Sequence, residues 1–170
     1  MNILIADSGS TKCEWCLLHD GKQKKVDTQG MSPYFLDEDG IVNIIDTELK
    51  PSIARWAVDV IYYYGTGSKD PNNRKMVQRA IRRAFPGAEV HVTDDLMGAA
   101  LSVCGDGKGI ACILGTGSNS CYFDGKKIAK NSPGLGFVLG DEGSGAYLGK
   151  KVLQYYLYNT FDEDLRYKFD

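Results

Sequence analysis

Ile3-Leu4-Ile5-Ala6-Asp7-Ser8-Gly9-Ser10-Thr11-Lys12-Cys13 opens the chain, and Ala111-Cys112-Ile113-Leu114-Gly115-Thr116-Gly117-Ser118-Asn119-Ser120-Cys121 repeats its pattern further on. In each copy a short apolar strand runs into Gly-Ser or Gly-Thr-Gly-Ser, and a second strand leaves that turn. Asp20-Gly21-Lys22 and Asp124-Gly125-Lys126 then reverse the second strand, because Asp-Gly supplies the positive φ that tight hairpins need. Glycines let backbone N–H groups come close to phosphate oxygens, and the hydroxyls of Ser10, Thr11, Thr116 and Ser118 add donors. A single loop of this kind is most simply a turn. Two in the same strand context, facing each other, suit a polyphosphate held from both sides.

Between the copies the pattern is α/β. Strands are expected near residues 2–6, 12–18 and 23–28, followed by helical spacing of Ile41, Ile44, Ile45 and Leu49 and a strand over Val58 to Tyr64. Residues 70–84 read as a helix capped by Asp70 with Pro71 at its first position. Ala88 to Val92 reads as a strand and Leu96 to Val103 as a helix. Met76, Val77, Ile81 and Phe85 face inward, which leaves Arg74, Lys75, Arg79, Arg82 and Arg83 on a solvated face. At Gly105-Asp106-Gly107-Lys108-Gly109 the pattern restarts as strand, glycine turn, strand, Asp-Gly turn, strand. The expected division is therefore 1–107 and 108–170, and the second copy stops after one helix at about 145–159, where Tyr155, Tyr156 and Tyr158 read as core or lobe contact.

Composition narrows the function classes. The 170 residues are 43% hydrophobic, enough for a substantial core, and a formal net charge of -2 gives no long-range attraction to nucleic acid or to an anionic membrane. No stretch approaches the roughly 20 apolar residues of a membrane span, and no basic leader precedes Asp7, so the expected location is the cytoplasm. Cys13, Cys16, Cys104, Cys112 and Cys121 are an odd set lying largely in strands, read as free buried thiols; Cys13-x-x-Cys16 has a metal-like spacing but no second pair.

The order and spacing of these motifs resemble the acetate and sugar kinase, heat-shock chaperone and actin superfamily. Within it the chain resembles the N-acetylglucosamine kinase group and the related BadF/BadG/BcrA/BcrD ATPases, over nearly its whole length. The resemblance implies a ribonuclease H-like (actin-like ATPase) lobe followed by a truncated second lobe. It also implies ATP and Mg²⁺, with Gly9, Ser10, Thr11 and Lys12 as the first phosphate motif and Gly115, Thr116, Gly117 and Ser118 as the second. Asp7, at a strand end beside the first loop, suits Mg²⁺, which takes one or two carboxylates and keeps several waters.

Transfer to a sugar hydroxyl needs a carboxylate to accept the proton. Asp95 stands about where the resembled kinases carry that base, although Asp94 and Asp95 both read as helix caps, so one of them is structural. By the same resemblance Asn119 and Asp141 contact the sugar, while Glu142 and Ser144 read as first-turn acid and cap. Ser32 stands where related kinases place an asparagine, and Gly65-Thr66-Gly67-Ser68 reads either as a pocket wall or as a strand-ending loop. The leading expectation is an amino-sugar kinase using ATP, with a homodimer left open. The alternatives are an activating ATPase of the BadF/BadG type, whose characteristic cysteine before the second loop is missing here, and a non-catalytic nucleotide- or sugar-binding module.

Overall fold

A computed structural model describes residues 1–132 and 134–170. They form two compact units, Met1–Gly98 and Ala99–Asp170. In the first unit β1 (Ile3–Ser8), β2 (Lys12–His19) and β3 (Lys22–Gln29) make an antiparallel meander, and β4 (Val60–Gly65) and β5 (Glu89–Thr93) extend it in parallel to give the order β3-β2-β1-β4-β5. Asp20 and Gly21 both take positive φ (47° and 71°), the pair of left-handed residues that a two-residue hairpin requires.

Alternation sorts the strands into two faces. Leu4, Ala6, Ser8, Cys13, Trp15, Leu17, Ile61, Tyr63 and Val90 are buried on one side, and helices cover them. The first covering helix, α1 (Glu38–Ile44), starts at Asp37, whose side chain accepts from the Gly40 N–H, and it continues through a π turn over Ile45–Leu49 into α2 (Lys50–Ile53). Pro51 explains the π turn, since it has no N–H for the carbonyl four residues back and its ring crowds that carbonyl. The second, α3 (Pro71–Ala84), is capped by Asp70, which accepts from the Asn72 and Asn73 N–H groups, and it buries Val77, Ala80, Ile81 and Ala84. Its basic face is more engaged than the sequence suggested. Arg79 and Arg83 pair with Glu38 and Asp39 of α1, and Arg74 Nε donates to the Ser68 carbonyl (2.9 Å).

The second unit holds most of α4 (Asp95–Cys104) and a meander of β6 (Gly109–Leu114), β7 (Ser118–Phe123) and β8 (Ile128–Ser132). After it come a short α5 (Gly136–Leu139), then α6 (Gly145–Leu157) and α7 (Glu163–Phe169), the last two capped by Ser144 and Asp162. Helices α5 and α7 were not expected from the sequence. Tyr155 and Tyr158 are 51% and 70% exposed, so they are not core residues of this unit, while Tyr156 packs with Phe161 and Phe169. Cys13, Cys16, Cys104 and Cys112 are free thiols. Burial holds for Cys13 and Cys121, but Cys112 is exposed on β6, and Cys13 and Cys16, three apart on a strand, point to opposite faces and cannot share a metal.

Candidate active site

Strands β1, β3, β4 and β5 run in the same direction, so their carboxyl ends meet at one edge of the first sheet, where ligands of open α/β sheets bind. That edge gathers Asp7 and the Gly9–Thr11 turn, Gly30 to Ser32, Gly65 to Ser68, and Asp94 with Asp95. Gly9, Ser10 and Thr11 are exposed, and the turn closes through Gly9 N–H donating to the Lys12 carbonyl (2.9 Å). Lys12 lies on β2, paired in the open with Glu14 (3.2 Å) and Asp27 (3.3 Å), and those carboxylates raise its pKa.

Asp7 and Ser8 belong to opposite faces of β1. Asp7 shares its face with Glu14 and Tyr64, its partners on β2 and β4. Helix α4 begins against that face, because a Cβ on Gly98 would come 2.9 Å from Tyr64 Cβ, so nothing larger than glycine admits this approach. The first turn of α4 then separates the two aspartates. Asp94 accepts from the Met97 N–H (3.1 Å), the bond of an N-cap, whereas Asp95 accepts from the adjoining Leu96 N–H (2.9 Å). Asp95 is half-buried, and desolvation, opposed by the Leu96 N–H but reinforced by the charges of Asp94 and Asp7, raises its pKa. Asp7 is solvent-exposed, yet the protein around its carboxyl still desolvates it, and that effect together with Glu14 raises its pKa as well.

Behind this edge lies a buried polar cluster that the sequence reading missed. Ser8 Oγ accepts from the Met31 N–H (3.1 Å), and the Tyr63 hydroxyl donates to the Met31 carbonyl (3.0 Å). Trp15 Nε1 donates to Thr28 Oγ1 (3.0 Å), and burial pushes the Cys13 thiol up to about 12, which makes it an inert packing group. The signal for Tyr63 was available, since it alternates with Ile61 on a strand and a buried tyrosine needs a partner for its hydroxyl. Ser32 is buried, its hydroxyl turned to the Tyr34 N–H (3.4 Å) and its carbonyl to Phe35 and Leu36. Gly65 is buried opposite Ser8, and an added Cβ would lie 2.3 Å from the Tyr63 ring.

In the second unit, Gly115 N–H donates to the Gly117 carbonyl (2.9 Å). The loop rests on the start of α6, whose Gly145 and Ala146 N–H groups donate to the Gly115 (2.9 Å) and Thr116 (3.3 Å) carbonyls. Asp141 has φ of +59° and accepts from the Ser118 N–H (3.3 Å), its carboxylate so close to Gly117 that a Cβ there would sit 3.0 Å from it. Asn119 Oδ1 accepts from Asn131 Nδ2 and Ser120 N–H, both at 2.9 Å, and Ser144 caps α6 through the Tyr147 N–H (3.1 Å) while Glu142 is exposed. A groove of about 550 Å³ lies beside α5 and α6, with Val138, Leu139, Leu153 and Leu157 among its walls.

A five-stranded meander-plus-parallel sheet that gathers carboxylates and a glycine turn at one edge is matched in known structures. A candidate N-acetylglucosamine kinase from Porphyromonas gingivalis superposes with TM-score 0.92 at 42% identity over 98% of this chain. The chain has the actin-like ATPase fold. It spans 60% of the P. gingivalis protein's length. A candidate N-acetylglucosamine kinase from Chromobacterium violaceum (TM-score 0.71, 22% identity, 92% of this chain and 56% of that one) shares the fold. So does a ROK hexokinase from Thermus thermophilus (0.61, 17%, 94% and 64%). No family model and no curated protein matches the sequence. No helix among the described residues is long and apolar enough to cross a membrane.

Proposed function

We propose that the chain carries the acceptor and phosphate sites of an ATP-dependent kinase that phosphorylates N-acetylglucosamine or a close amino sugar. The observation that carries this reading is the division of labour at α4: Asp94 is spent as a cap, while Asp95 is half-buried, desolvated and close enough to Asp7 to feel its charge. The 42% identity to a candidate kinase of that specificity supports the choice of sugar.

In this reading Asp95 takes the proton as a sugar hydroxyl, the primary one in our proposal, attacks the γ-phosphorus of ATP. The new O–P bond forms as the bond to the β,γ-bridging oxygen breaks, ADP leaves, and Asp95 releases the proton to solvent. A raised pKa makes Asp95 a stronger base than an exposed aspartate. The N–H groups and hydroxyls of Ser10 and Thr11, with Gly9 leaving room for close approach, hold one side of the phosphates, with Lys12 adding charge, and Gly115, Thr116, Gly117 and Ser118 form the second phosphate loop. Asn119 and Asp141 bind sugar hydroxyls, and Ser32 and Gly65 shape the acceptor side. Mg²⁺ fits the donor set, because Asp7 is an exposed hard-oxygen ligand in surroundings made anionic by Glu14 and Asp95, and when bound it would neutralise charge on the phosphates. We further propose that the lobes divide at Gly105–Gly109 and that the protein acts in the cytoplasm.

The test is coupled ADP release with MgATP and N-acetylglucosamine, N-acetylmannosamine or glucose, using the longest form of the protein. Turnover with an N-acetylated sugar, falling by roughly 10²–10⁴-fold in Asp95→Asn with nucleotide binding retained, is the expected outcome. Undiminished turnover in that variant would overturn the assignment of the base.

A further inference from the structure

The stretch Gly30 to Ser32 leaves β3 and lies on the first glycine turn. The fit is tight: a Cβ on Gly30 would fall 2.6 Å from both the Gly9 carbonyl oxygen and the Ser10 carbonyl carbon. Gly30 N–H donates to the Thr11 carbonyl (3.1 Å), but the backbone of the next residue, Met31, is held by side chains. Its N–H goes to Ser8 Oγ on β1 and its carbonyl to the Tyr63 hydroxyl on β4. Met31 and Ser8 are fully buried and Tyr63 is 1% exposed, so water cannot replace either bond. The Tyr63 ring reaches this point only because Gly65 has no side chain.

We propose that Tyr63 is a positioning residue that fixes the distance between the acceptor loop, Gly30 to Ser32, and the phosphate turn, Gly9 to Thr11, by holding the Met31 carbonyl. It touches no reactant. Gly65, by the same geometry, serves the site by making room for the Tyr63 ring. The inference rests on the kinase reading for its consequence, a site in which sugar and phosphate keep a set separation, but the mechanical link can be measured without it.

The experiment compares wild type with Tyr63→Phe, which keeps the ring and removes the hydroxyl, by amide hydrogen exchange and by titration with N-acetylglucosamine and with MgADP. Expected are a cooperative melt, exchange at least tenfold faster at Gly30, Met31 and Ser32 with α3 unchanged, and a sugar Kd raised about tenfold while that for MgADP stays within about twofold. Unchanged exchange at Gly30 to Ser32 would overturn the proposal. So would uniform acceleration through α3, which means a general loss of stability, and so would a loosened loop that binds sugar as before. Should Tyr63→Phe fail to fold, Ser8→Ala, which releases the N–H of the same Met31 residue, must give the local pattern, and its absence there counts against the link. Wild type that binds no amino sugar would contradict the kinase reading, and the exchange pattern would still decide the mechanical claim.

Discussion

The two glycine turns share a sequence pattern but are supported in different ways. The first is pressed from below by Gly30 and by the Met31 backbone, whose N–H and carbonyl are anchored to Ser8 and Tyr63, all of it buried in a unit with a continuous core. The second stands on the N-terminus of α6 and on the Asp141 carboxylate, in a unit whose buried apolar residues among those described are Ala100, Ala111, Cys121 and Phe123. A repeated motif therefore specifies a turn, and the neighbouring elements decide how firmly it is held. The first turn is rigid through close packing, whereas the second depends on hydrogen bonds that solvent can compete for.

Substitutions at matched places can break this comparison. Gly30→Ala pushes a methyl group into the Gly9 and Ser10 backbone, which cannot swing aside, and should cost about 3 kcal/mol in chemical denaturation. Asp141→Ala removes the carboxylate that accepts from the Ser118 N–H and should cost about 1 kcal/mol, with faster exchange confined to residues 115–118.

A smaller effect of opposite sign is expected at Asp95. Burial raises its folded pKa above the unfolded value, so its stabilising contribution is present at low pH and is lost as pH rises through the folded pKa. Asp95→Asn should accordingly melt above wild type at pH 7, and the gap should close as pH falls through the carboxylate range. A lower melting temperature at pH 7 would mean that ionised Asp95 is held by a favourable partner. Least of all should change in Gly115→Ala, whose Cβ would meet nothing within 4 Å, so its stability should stay within about 0.5 kcal/mol of wild type. A large loss there would show the second turn to be as constrained as the first.

The three hairpin-joined strands that open the first unit were legible because an apolar run into Gly-Ser and the Asp20-Gly21 turn are local signals, and Asp70-Pro71 announced α3. Hydrogen bonding within α4 showed that Asp94 is the cap, a distinction that two adjacent aspartates cannot reveal on their own. What the sequence could not display were interactions across distant segments: the Tyr63 hydroxyl on Met31, Asp141 against Gly117, and the turning inward of Ser32. Each depends on a tertiary approach that no short-range pattern encodes. The π turn was hidden for a related reason, since Pro51 signals a disturbed helix without saying whether the chain will break or widen.

The central claim is that the edge bearing Asp7, Asp95 and the first glycine turn binds an amino sugar. Calorimetric titration of this chain with N-acetylglucosamine, alongside Asp95→Ala, tests it most directly. The account predicts saturable binding to wild type at one site per chain and a large loss of affinity in the variant; binding of equal strength to both proteins, or none to a folded wild type, would contradict it.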